Sequence, residues 1–371
     1  MSNIKKWLNE SSYIEPMSPA CEMCAMGSKM VILITGLCPA GCFYCPLSIR
    51  KLGKDRIFAD EWELDNEDDA EKLIKEAECI EADGAGITGG DPLTVYDRTT
   101  KYISFLKNRF GKKFHIHLYT SGLQNGEKIG EIVNAGLDEI RFHPMPSYWK
   151  SMDKNPILKS IKNALSTDAD VGIEIPVIPG MENDIQSMVK WADDNGVKWV
   201  NLNELEFSET NADELKKRGF TVKDEISAAV TKSQKSAEKL VKWRSESNMN
   251  IGIHYCSSSF KDGIQLRNRI KRRARNIASP HDVITKDGTL VKGVIIPGEK
   301  TLIEAMQLLK EFYKINEKYL LLNLKKNRVE IAVWLLEKIA ADLEEKGFEC
   351  FMVEEYPTAD ALEVERTPLP L

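Results

Sequence analysis

Short runs of apolar and β-branched residues alternate with amphipathic stretches between residues 30 and 256. The amphipathic stretches carry apolar residues at helical spacing, as at 66–82 and 98–111. We predict strands at 30–35, 84–88, 114–120, 138–143, 170–178, 198–203 and 250–255. Regular alternation of strand and helix indicates parallel strands joined by right-handed crossovers. The pattern therefore predicts an α/β fold, a closed or partial (β/α) barrel with its chemistry on the loops at the carboxyl ends of the strands.

The pattern changes after residue 256. A basic helix is predicted at 263–278, and a hairpin at 282–296 turns at Asp287–Gly288. The remainder is predicted as a helix at 301–313, a strand at 318–324, a helix at 328–347 and two further strands. We therefore expect four segments: an N-terminal extension at 1–29, the barrel at 30–256, a basic helical linker at 257–280 and a small α+β domain at 281–371.

Charge and composition limit the cellular locations and the classes of partner that we expect for the protein. The chain has 371 residues and a formal net charge of −6, so no global basic field favours nucleic acid. Its first residues lack the apolar core of a signal peptide, and the apolar run at 30–37 is too short to span a bilayer. We expect a cytoplasmic protein with no membrane partner, whose cysteines stay reduced and serve metals or catalysis.

Three of the eight cysteines follow the first barrel strand within a few residues of one another. The stretch "GLCPAGCFYCPLS" (36–48) contains Cys38, Cys42 and Cys45. Zinc prefers paired thiols closed by a second pair, whereas three close thiolates leave one coordination position open. The motif predicts a cubane iron–sulfur cluster whose fourth iron binds a substrate, with a zinc knuckle or a coincidental spacing as the alternatives.

This C-x3-C-x2-C motif resembles the signature of the radical S-adenosylmethionine (SAM) superfamily. Tyr44 before the third cysteine and the glycine-rich "ITGGDP" (87–92) match that signature as well. The chain looks most like the pyruvate formate-lyase activating enzyme branch and its uncharacterised archaeal members. The resemblance implies a 4Fe–4S cluster on the three cysteines with SAM on the open iron. It further implies a flavodoxin- or ferredoxin-type electron donor and a deoxyadenosyl radical that abstracts hydrogen from a substrate.

The resemblance also implies SAM-binding residues at the ends of the second and third strands. Gly89, Gly90 and Asp91 resemble the superfamily's GGE motif, whose backbone holds the methionyl ammonium group of SAM. Aspartate has a shorter reach than glutamate, so we expect the contact mainly through main-chain carbonyls. Thr120 and Ser121 form a polar tip expected near the SAM carboxylate or the substrate, and a simple helix cap is the alternative.

Two later strand ends resemble regions that bind the nucleoside part of SAM. "IEIPVIPG" (173–180) is similar to the fifth-strand region of activating enzymes. From that resemblance we expect Glu174 to bond the ribose hydroxyls and Ile178 to form an apolar edge against the adenine. Asn203, at the end of the sixth strand, is expected to bond adenine or substrate.

The chain carries a second set of cysteines. Cys21 and Cys24 form a C-x2-C pair, and Cys256 ends the last predicted barrel strand beside His254. If the barrel prediction holds, these groups supply enough donors for a second metal centre, either an auxiliary iron–sulfur cluster or a structural zinc. The alternative is that Cys21 and Cys24 are incidental reduced thiols.

The substrate is not defined by the sequence. A protein target, an RNA nucleotide and a small metabolite all remain open, and the resemblance favours a protein only weakly. The basic helix, with six Lys and Arg residues between 267 and 275, is either a solvated face or a surface for an anionic partner such as RNA. The alternatives to an activating-enzyme-like protein are therefore an RNA-modifying radical SAM enzyme and a non-catalytic iron–sulfur redox protein.

Overall fold

A computed structural model describes residues 3–224 and 227–370. The chain divides into two compact units. The first comprises Met1–Glu78 with Ala82–Leu266, and the second comprises Cys79–Glu81 with Arg267–Leu371. The boundary thus falls inside the expected basic linker rather than at either of its ends. The two units are described separately.

The first unit is built from strands and helices in near-regular alternation. Its strands are β1 Lys5–Lys6, β2 Ser12–Ile14, β3 Lys29–Leu33, β4 Phe58–Ala59, β5 Trp62–Glu63, β6 Gly84–Thr88, β7 His115–Thr120, β8 Glu139–Phe142, β9 Asp170–Val177, β10 Trp199–Glu204 and β11 Gly252–Cys256. The α-helices that begin before residue 261 are α1 Pro19–Met26, α2 Ala70–Cys79, α3 Tyr96–Phe110, α4 Ile129–Asn134, α5 Leu158–Leu165, α6 Glu182–Asp194, α7 Ala212–Lys217, α8 Ser233–Ser245 and α9 Ser258–Phe260. A π-helical turn, Lys261–Leu266, follows α9.

The sheet is an open arc of parallel strands. Its order is β1-β2-β11-β10-β9-β8-β7-β6-β3-β4-β5, and the seven strands β3 and β6 to β11 pair in parallel. The two ends of the parallel part pair with antiparallel strands, β3 with β4 and β11 with β2. Because their edges are already hydrogen-bonded, β3 and β11 do not pair with each other. The α/β partial-barrel prediction is confirmed, and each predicted strand matches an observed one.

The two faces of the parallel strands differ in polarity. On one face Ile32, Ile87, Leu118 and Ile140 follow one another across neighbouring strands and are fully buried. Side chains alternate along a strand, so the residues between them point to the other face. That face carries buried polar groups, namely His117, Glu139, Arg141, Asn201 and His254. The barrel interior therefore offers polar groups that could bind a ligand.

The N-terminal segment is part of the barrel unit and not an extension. β2 pairs with β11 through the register Ile14↔Ile253, which places it inside the same sheet. α1 begins after Ser18, whose hydroxyl accepts a hydrogen bond from Ala20 N, and ends at Gly27 in the left-handed conformation. Apolar periodicity did not reveal this because β1 and β2 are only two and three residues long.

The second unit contains a six-stranded antiparallel sheet and is the expected small α+β fold. Its elements are α10 Arg267–Ile277, β12 Val283–Ile284, β13 Leu290–Ile296, α11 Leu302–Gln307, β14 Leu320–Asn323, β15 Arg328–Ile331, α12 Val333–Glu345, β16 Glu349–Glu355 and β17 Glu363–Leu369. The expected helix at 328–347 was wrong in its first turn. Residues 328–331 form β15 because Val329 and Ile331 enter the apolar core while Arg328 and Glu330 lie on the opposite face.

The basic helix is partly structural. Arg273 on α10 is buried and donates to the Pro357 carbonyl. Arg272 donates to the carbonyls of Ile80 (2.6 Å) and Glu81 (2.5 Å). The two arginines hold main-chain oxygens of their own unit, so the basic run is not simply a solvated face.

Candidate functional site

The three cysteines lie on a long loop between β3 and β4, here called the cysteine loop (residues 36–54). Its base is closed by two main-chain hydrogen bonds, Gly36 N to Lys54 O (2.8 Å) and Gly53 N to Gly36 O (2.9 Å). Glycine is required at position 36 because a Cβ there would lie 1.8 Å from the Lys51 carbonyl oxygen. The sequence thus folds the loop back on itself and presents its middle at the carboxyl end of the sheet.

A cavity of about 750 Å³ opens at the carboxyl ends of the parallel strands. That volume is within the range of small-molecule and cofactor sites. Most of the residues expected to bind the cluster or SAM line it: Cys38, Cys42, Cys45, Tyr44, Gly89, Gly90, Thr120, Ser121, Glu174 and Asn203. Asp91 and Ile178 are not among the described residues that line the cavity, and both are buried.

The thiols suit a metal cluster. Burial raises the pKa of Cys38 to about 11 and also raises the pKa of Cys42. A thiol must be a thiolate to bind a metal, so a bound cation is what would hold these groups deprotonated at neutral pH. In the described part of the chain, no set of three or more His, Cys, Asp or Glu residues could hold a single metal ion. A cubane cluster is larger than one ion and needs thiols that stand further apart.

The glycine pair is pressed against the cysteine loop. A Cβ on Gly89 would lie 2.2 Å from Thr35 O, and one on Gly90 would lie 2.1 Å from Leu37 O. Gly90 N donates to Thr35 O (2.7 Å), and the next amide, Asp91 N, donates to Leu37 O (2.8 Å). The two loops therefore form one continuous wall of the cavity, and only glycine fits at this contact.

Asp91 is a buried acceptor behind that wall. Its carboxylate accepts from Thr120 Oγ1 (2.7 Å), Ser121 N (3.1 Å), Ser121 Oγ and Leu93 N (3.0 Å). The side chain thus holds the Thr120–Ser121 tip and caps the following turn. This arrangement leaves the main chain of Gly89–Gly90 as the part of the motif that faces the cavity.

Glu174 is an anionic acceptor facing the cavity. Its Oε2 accepts from Arg141 Nη1 (2.7 Å) and Asn201 Nδ2 (3.0 Å), and its Oε1 accepts from Asn203 Nδ2 (2.8 Å). Burial raises the pKa of Glu174, but the Arg141 charge and the three hydrogen bonds outweigh it, so the pKa is lowered. The carboxylate therefore stays ionised at neutral pH.

His143 was not identified from the sequence, although it lines the cavity at the end of β8. Its Nδ1 lies 2.7 Å from the Glu174 main-chain oxygen, and its Nε2 lies 2.8 Å from the Tyr44 hydroxyl. A carbonyl oxygen only accepts, so Nδ1 carries the proton and Nε2 accepts from Tyr44. Burial lowers the pKa of His143, which keeps the ring neutral. The sequence signal that could have identified His143 was its position at the end of the predicted strand 138–143.

The second set of cysteines lies in the polar interior. Cys21 is buried, with its Sγ 3.4 Å from Asn201 Nδ2 and 3.5 Å from Arg141 Nη2. Cys256 is also buried, and β10 pairs it with Asn203 of the cavity wall. Burial raises the pKa of Cys21 to about 11 even though Arg141 lowers it. The structure thus brings Cys21 close to the groups that hold Glu174.

Within the described residues, no helix is both long enough and apolar enough to cross a membrane.

Solved structures align with part of this chain at low identity. SuiB of Streptococcus suis, bound to S-adenosylmethionine, aligns over 62% of this chain and 50% of its own chain, with 13% identity and a TM-score of 0.43. The chain therefore spans about half the length of that protein. Methylornithine synthase aligns over 61% of this chain and 70% of its own, with 14% identity and a TM-score of 0.38.

Sequence comparison is more informative. The model of the radical SAM superfamily matches residues 32–192, and DUF8061, a domain of unknown function, matches residues 288–369. A biotin synthase of Pseudoalteromonas translucida is 25% identical over 155 residues, covering 40% of this chain and 42% of that enzyme. A "putative glycyl-radical enzyme activating enzyme" of Methanocaldococcus jannaschii is 40% identical over 382 residues, covering 100% of this chain and 96% of that protein. Because that relative matches along its length and the superfamily model covers the cysteine loop, the chain belongs to the radical SAM superfamily, as a pyruvate formate-lyase activating enzyme-like member.

Proposed function

We propose that this radical SAM enzyme cleaves SAM in the cavity at the carboxyl ends of the parallel strands and takes a hydrogen atom from a protein substrate. The observation that carries the proposal is the convergence of the cysteine loop, the glycine pair and the ionised Glu174 on one cavity. When bound, a 4Fe–4S cluster supplies the electron that splits SAM into methionine and a 5′-deoxyadenosyl radical.

The chain's own residues bind and orient SAM in this proposal. Cys38, Cys42 and Cys45 hold the cluster and leave one iron open. The main-chain carbonyls of Gly89–Gly90 accept from the methionyl ammonium group, because their wall faces the cavity. The Thr120–Ser121 tip lines the same cavity and is fixed by the hydrogen bonds that it donates to Asp91, so in this proposal it shapes the place of the SAM carboxylate.

The nucleoside half lies toward β8 to β10. Glu174 is ionised and accepts from the ribose hydroxyls, while Asn203 reaches adenine or substrate. Tyr44 forms an aromatic wall whose hydroxyl is already bonded to His143. Ile178 is buried and does not line the cavity, so the structure does not support the apolar edge against adenine expected from it. Together these side chains would shield the deoxyadenosyl radical from side reactions with groups other than its substrate.

A protein substrate is favoured by the relative of Methanocaldococcus jannaschii, whose name describes activation of a glycyl-radical enzyme. The reaction needs an external one-electron donor, and we propose a flavodoxin or ferredoxin type. The eight free cysteines favour a reducing, cytoplasmic location.

Extract fractionation tests the substrate class. Reconstituted enzyme with SAM and reductant is mixed with an anaerobic extract of the source organism, and 5′-deoxyadenosine is measured. We expect the extract to raise the yield, and we expect protease treatment of the extract to remove the increase while ribonuclease treatment leaves it. An increase that survives protease and disappears with ribonuclease would favour the RNA alternative.

We also propose that Cys21, Cys24 and Cys256 bind a second iron–sulfur cluster. Cys21 and Cys24 stand one helical turn apart on α1 and so project from the same side of the helix. Arg141 and Asn201 donate toward Cys21 and would stabilise its thiolate in a cluster, whereas burial keeps the pKa of the free thiol raised. We propose a cluster rather than zinc because, among the described residues, no three His, Cys, Asp or Glu side chains converge closely enough to hold a single ion.

Iron and sulfide analysis tests the second cluster. Wild-type protein is expected to hold more of both than one 4Fe–4S cluster requires. Cys21→Ala and Cys256→Ala are expected to lose only the excess, whereas Cys79→Ala, a control on α2, keeps it. Equal iron in all four proteins would remove the second cluster from the account.

A further inference from the structure

The cysteine loop is held from outside by the segment that follows β10. Asn211 is 1% exposed and uses its whole amide group. Its Nδ2 donates to Tyr44 O (3.1 Å) and to Glu206 O (3.0 Å), and its Oδ1 accepts from Ser208 N (2.7 Å). The carbonyl directly before Cys45 is therefore fixed by a buried side chain from a different part of the barrel.

The neighbouring residues bind the same loop. Thr210 Oγ1 lies 2.7 Å from Leu47 O and 3.1 Å from Cys45 O. Glu209 Oε1 accepts from Ile49 N (2.7 Å). Main-chain groups of residues 44, 45, 47 and 49 thus all bond to side chains of three consecutive residues, Glu209 to Asn211.

These bonds supply hydrogen-bond partners that the main chain of the cysteine loop lacks. Residues 34–57 are all described, and they contain no helix and no strand, only isolated turns. Main-chain groups in such a segment have no ladder of their own, and buried ones must find partners elsewhere. Without residues 209–211, the carbonyls of Tyr44 and Cys45 would be free to turn toward the cavity.

Tyr44 is fixed at both ends by this arrangement. Its carbonyl is held by Asn211 and its hydroxyl by His143. Arg218, six residues after α7 begins, adds a contact by lying over the Phe43 ring at 4.2 Å. The aromatic pair of the loop, Phe43 and Tyr44, is therefore oriented by groups outside the loop.

We propose that Glu209, Thr210 and Asn211 form a clamp that presets the cysteine loop in its ligating conformation. Asn211 and Thr210 act as positioning residues: their hydrogen bonds to the loop go to the main-chain carbonyls of Tyr44, Cys45 and Leu47 and not to the thiols. The statement about retention of the cluster rests on the proposed function. The statement about the loop concerns this chain alone.

Hydrogen–deuterium exchange of the metal-free, full-length protein tests the clamp. Asn211→Ala and Thr210→Val are each expected to speed exchange in the peptide covering residues 38–49 by about tenfold, since each lost bond lowers the cost of local opening. Thr210→Ser keeps the hydroxyl and is expected to exchange like wild type. Unchanged exchange in both Asn211→Ala and Thr210→Val would overturn the proposal.

Matched controls come from the same barrel. Asn163 donates to Gly126 O (3.1 Å) and Thr167 to Ala164 O (2.7 Å), both main-chain carbonyls outside the cavity lining. Asn163→Ala and Thr167→Val are expected to leave exchange in 38–49 unchanged. A similar acceleration in these controls would show general destabilisation and contradict a specific clamp. If Asn211→Ala fails to fold, the comparison of the near-isosteric Thr210→Val with Thr210→Ser still tests the clamp.

Protein reconstituted with the cluster provides a second test of the clamp. We expect a chelator to remove iron about tenfold faster from Thr210→Val than from wild type or Thr210→Ser. The change that SAM causes in the reduced-cluster spectrum is expected to weaken in Thr210→Val and to recover in Thr210→Ser. If wild type fails to cleave SAM while the exchange contrast persists, the proposed function fails and the clamp stands.

Discussion

At the scale of single residues, the site depends on keeping one acid ionised and one histidine neutral inside the barrel. Glu174 stays ionised because Arg141, Asn201 and Asn203 all donate to it. His143 stays neutral because burial penalises its charged form. A role for Glu174 could be predicted from the sequence. A role for His143 could not, because it depends on Tyr44, which is 99 residues away.

Glu174→Gln tests the acceptor. The substitution keeps the size of the side chain but removes its negative charge, and hydrogen bonds to charged groups are roughly twice as strong as neutral ones. We expect SAM to bind at least about tenfold more weakly, measured by equilibrium dialysis, with unchanged iron content. Glu127→Gln, on an exposed position, is the control. Equal affinity in both variants would move the ribose site elsewhere.

His254 gives the barrel a pH dependence. Burial and the nearby Arg141 lower its pKa to about 4, so the ring takes a proton near its ordinary pKa only in the unfolded chain. Stability is therefore full above about pH 6.5 and falls as the pH drops toward 4. We expect His254→Phe to reduce the loss of unfolding free energy between pH 7 and pH 5 by about 2 kcal/mol. Chemical denaturation at the two pH values measures it, and parallel losses in both proteins would refute it.

At the scale of elements, the parallel strands were predictable and the short or polar pieces were not. The seven barrel strands are short, buried segments rich in apolar and β-branched residues, and this composition makes them visible in the sequence. β1 and β2 are too short to show a period, and β15 was hidden because its period merges into the following helix. The clamp of residues 209–211 was unreadable, since its partners are distant main-chain atoms with no sequence signature.

Gly90→Ala tests the contact between the glycine pair and the cysteine loop. The new methyl group would lie 2.1 Å from Leu37 O, so one of the two loops must move. We expect a folded protein that retains iron poorly and binds SAM weakly. Gly130→Ala is the matched control, because a Cβ at that helical position meets nothing within 4 Å. Iron retention equal to that of the control would contradict the shared wall.

At the scale of the whole molecule, the chain joins a radical SAM barrel to a second unit matched by a domain of unknown function. One face of the second unit's sheet holds buried charges. Glu330 accepts from Arg328 Nη2 (2.6 Å) and Asn323 Nδ2 (2.7 Å), and it lies 3.1 Å from Lys292 Nζ. Burial raises the pKa of Glu330, but His281, Lys292 and Arg328 outweigh it and lower the pKa.

Glu330→Gln tests this charged face. Removing the carboxylate leaves Lys292 and Arg328 with less compensation, and breaking such buried pairs costs about 3 kcal/mol or more. We expect the second unit to unfold earlier in denaturant while iron content is unchanged. Because the pKa is lowered, the contribution is present above about pH 4.3 and disappears in more acidic solution. Glu337→Gln, exposed on α12, is the control, and equal stability of the two variants would refute the expectation.

The most direct test of the central claim is reductant-dependent formation of 5′-deoxyadenosine from SAM by anaerobically reconstituted protein. The account predicts product from wild type and from Cys79→Ala, and none above background from Cys38→Ala, Cys42→Ala or Cys45→Ala. Product from the variant lacking all three of these cysteines, at the wild-type rate, would contradict the assignment of the cysteine loop as the site of SAM cleavage.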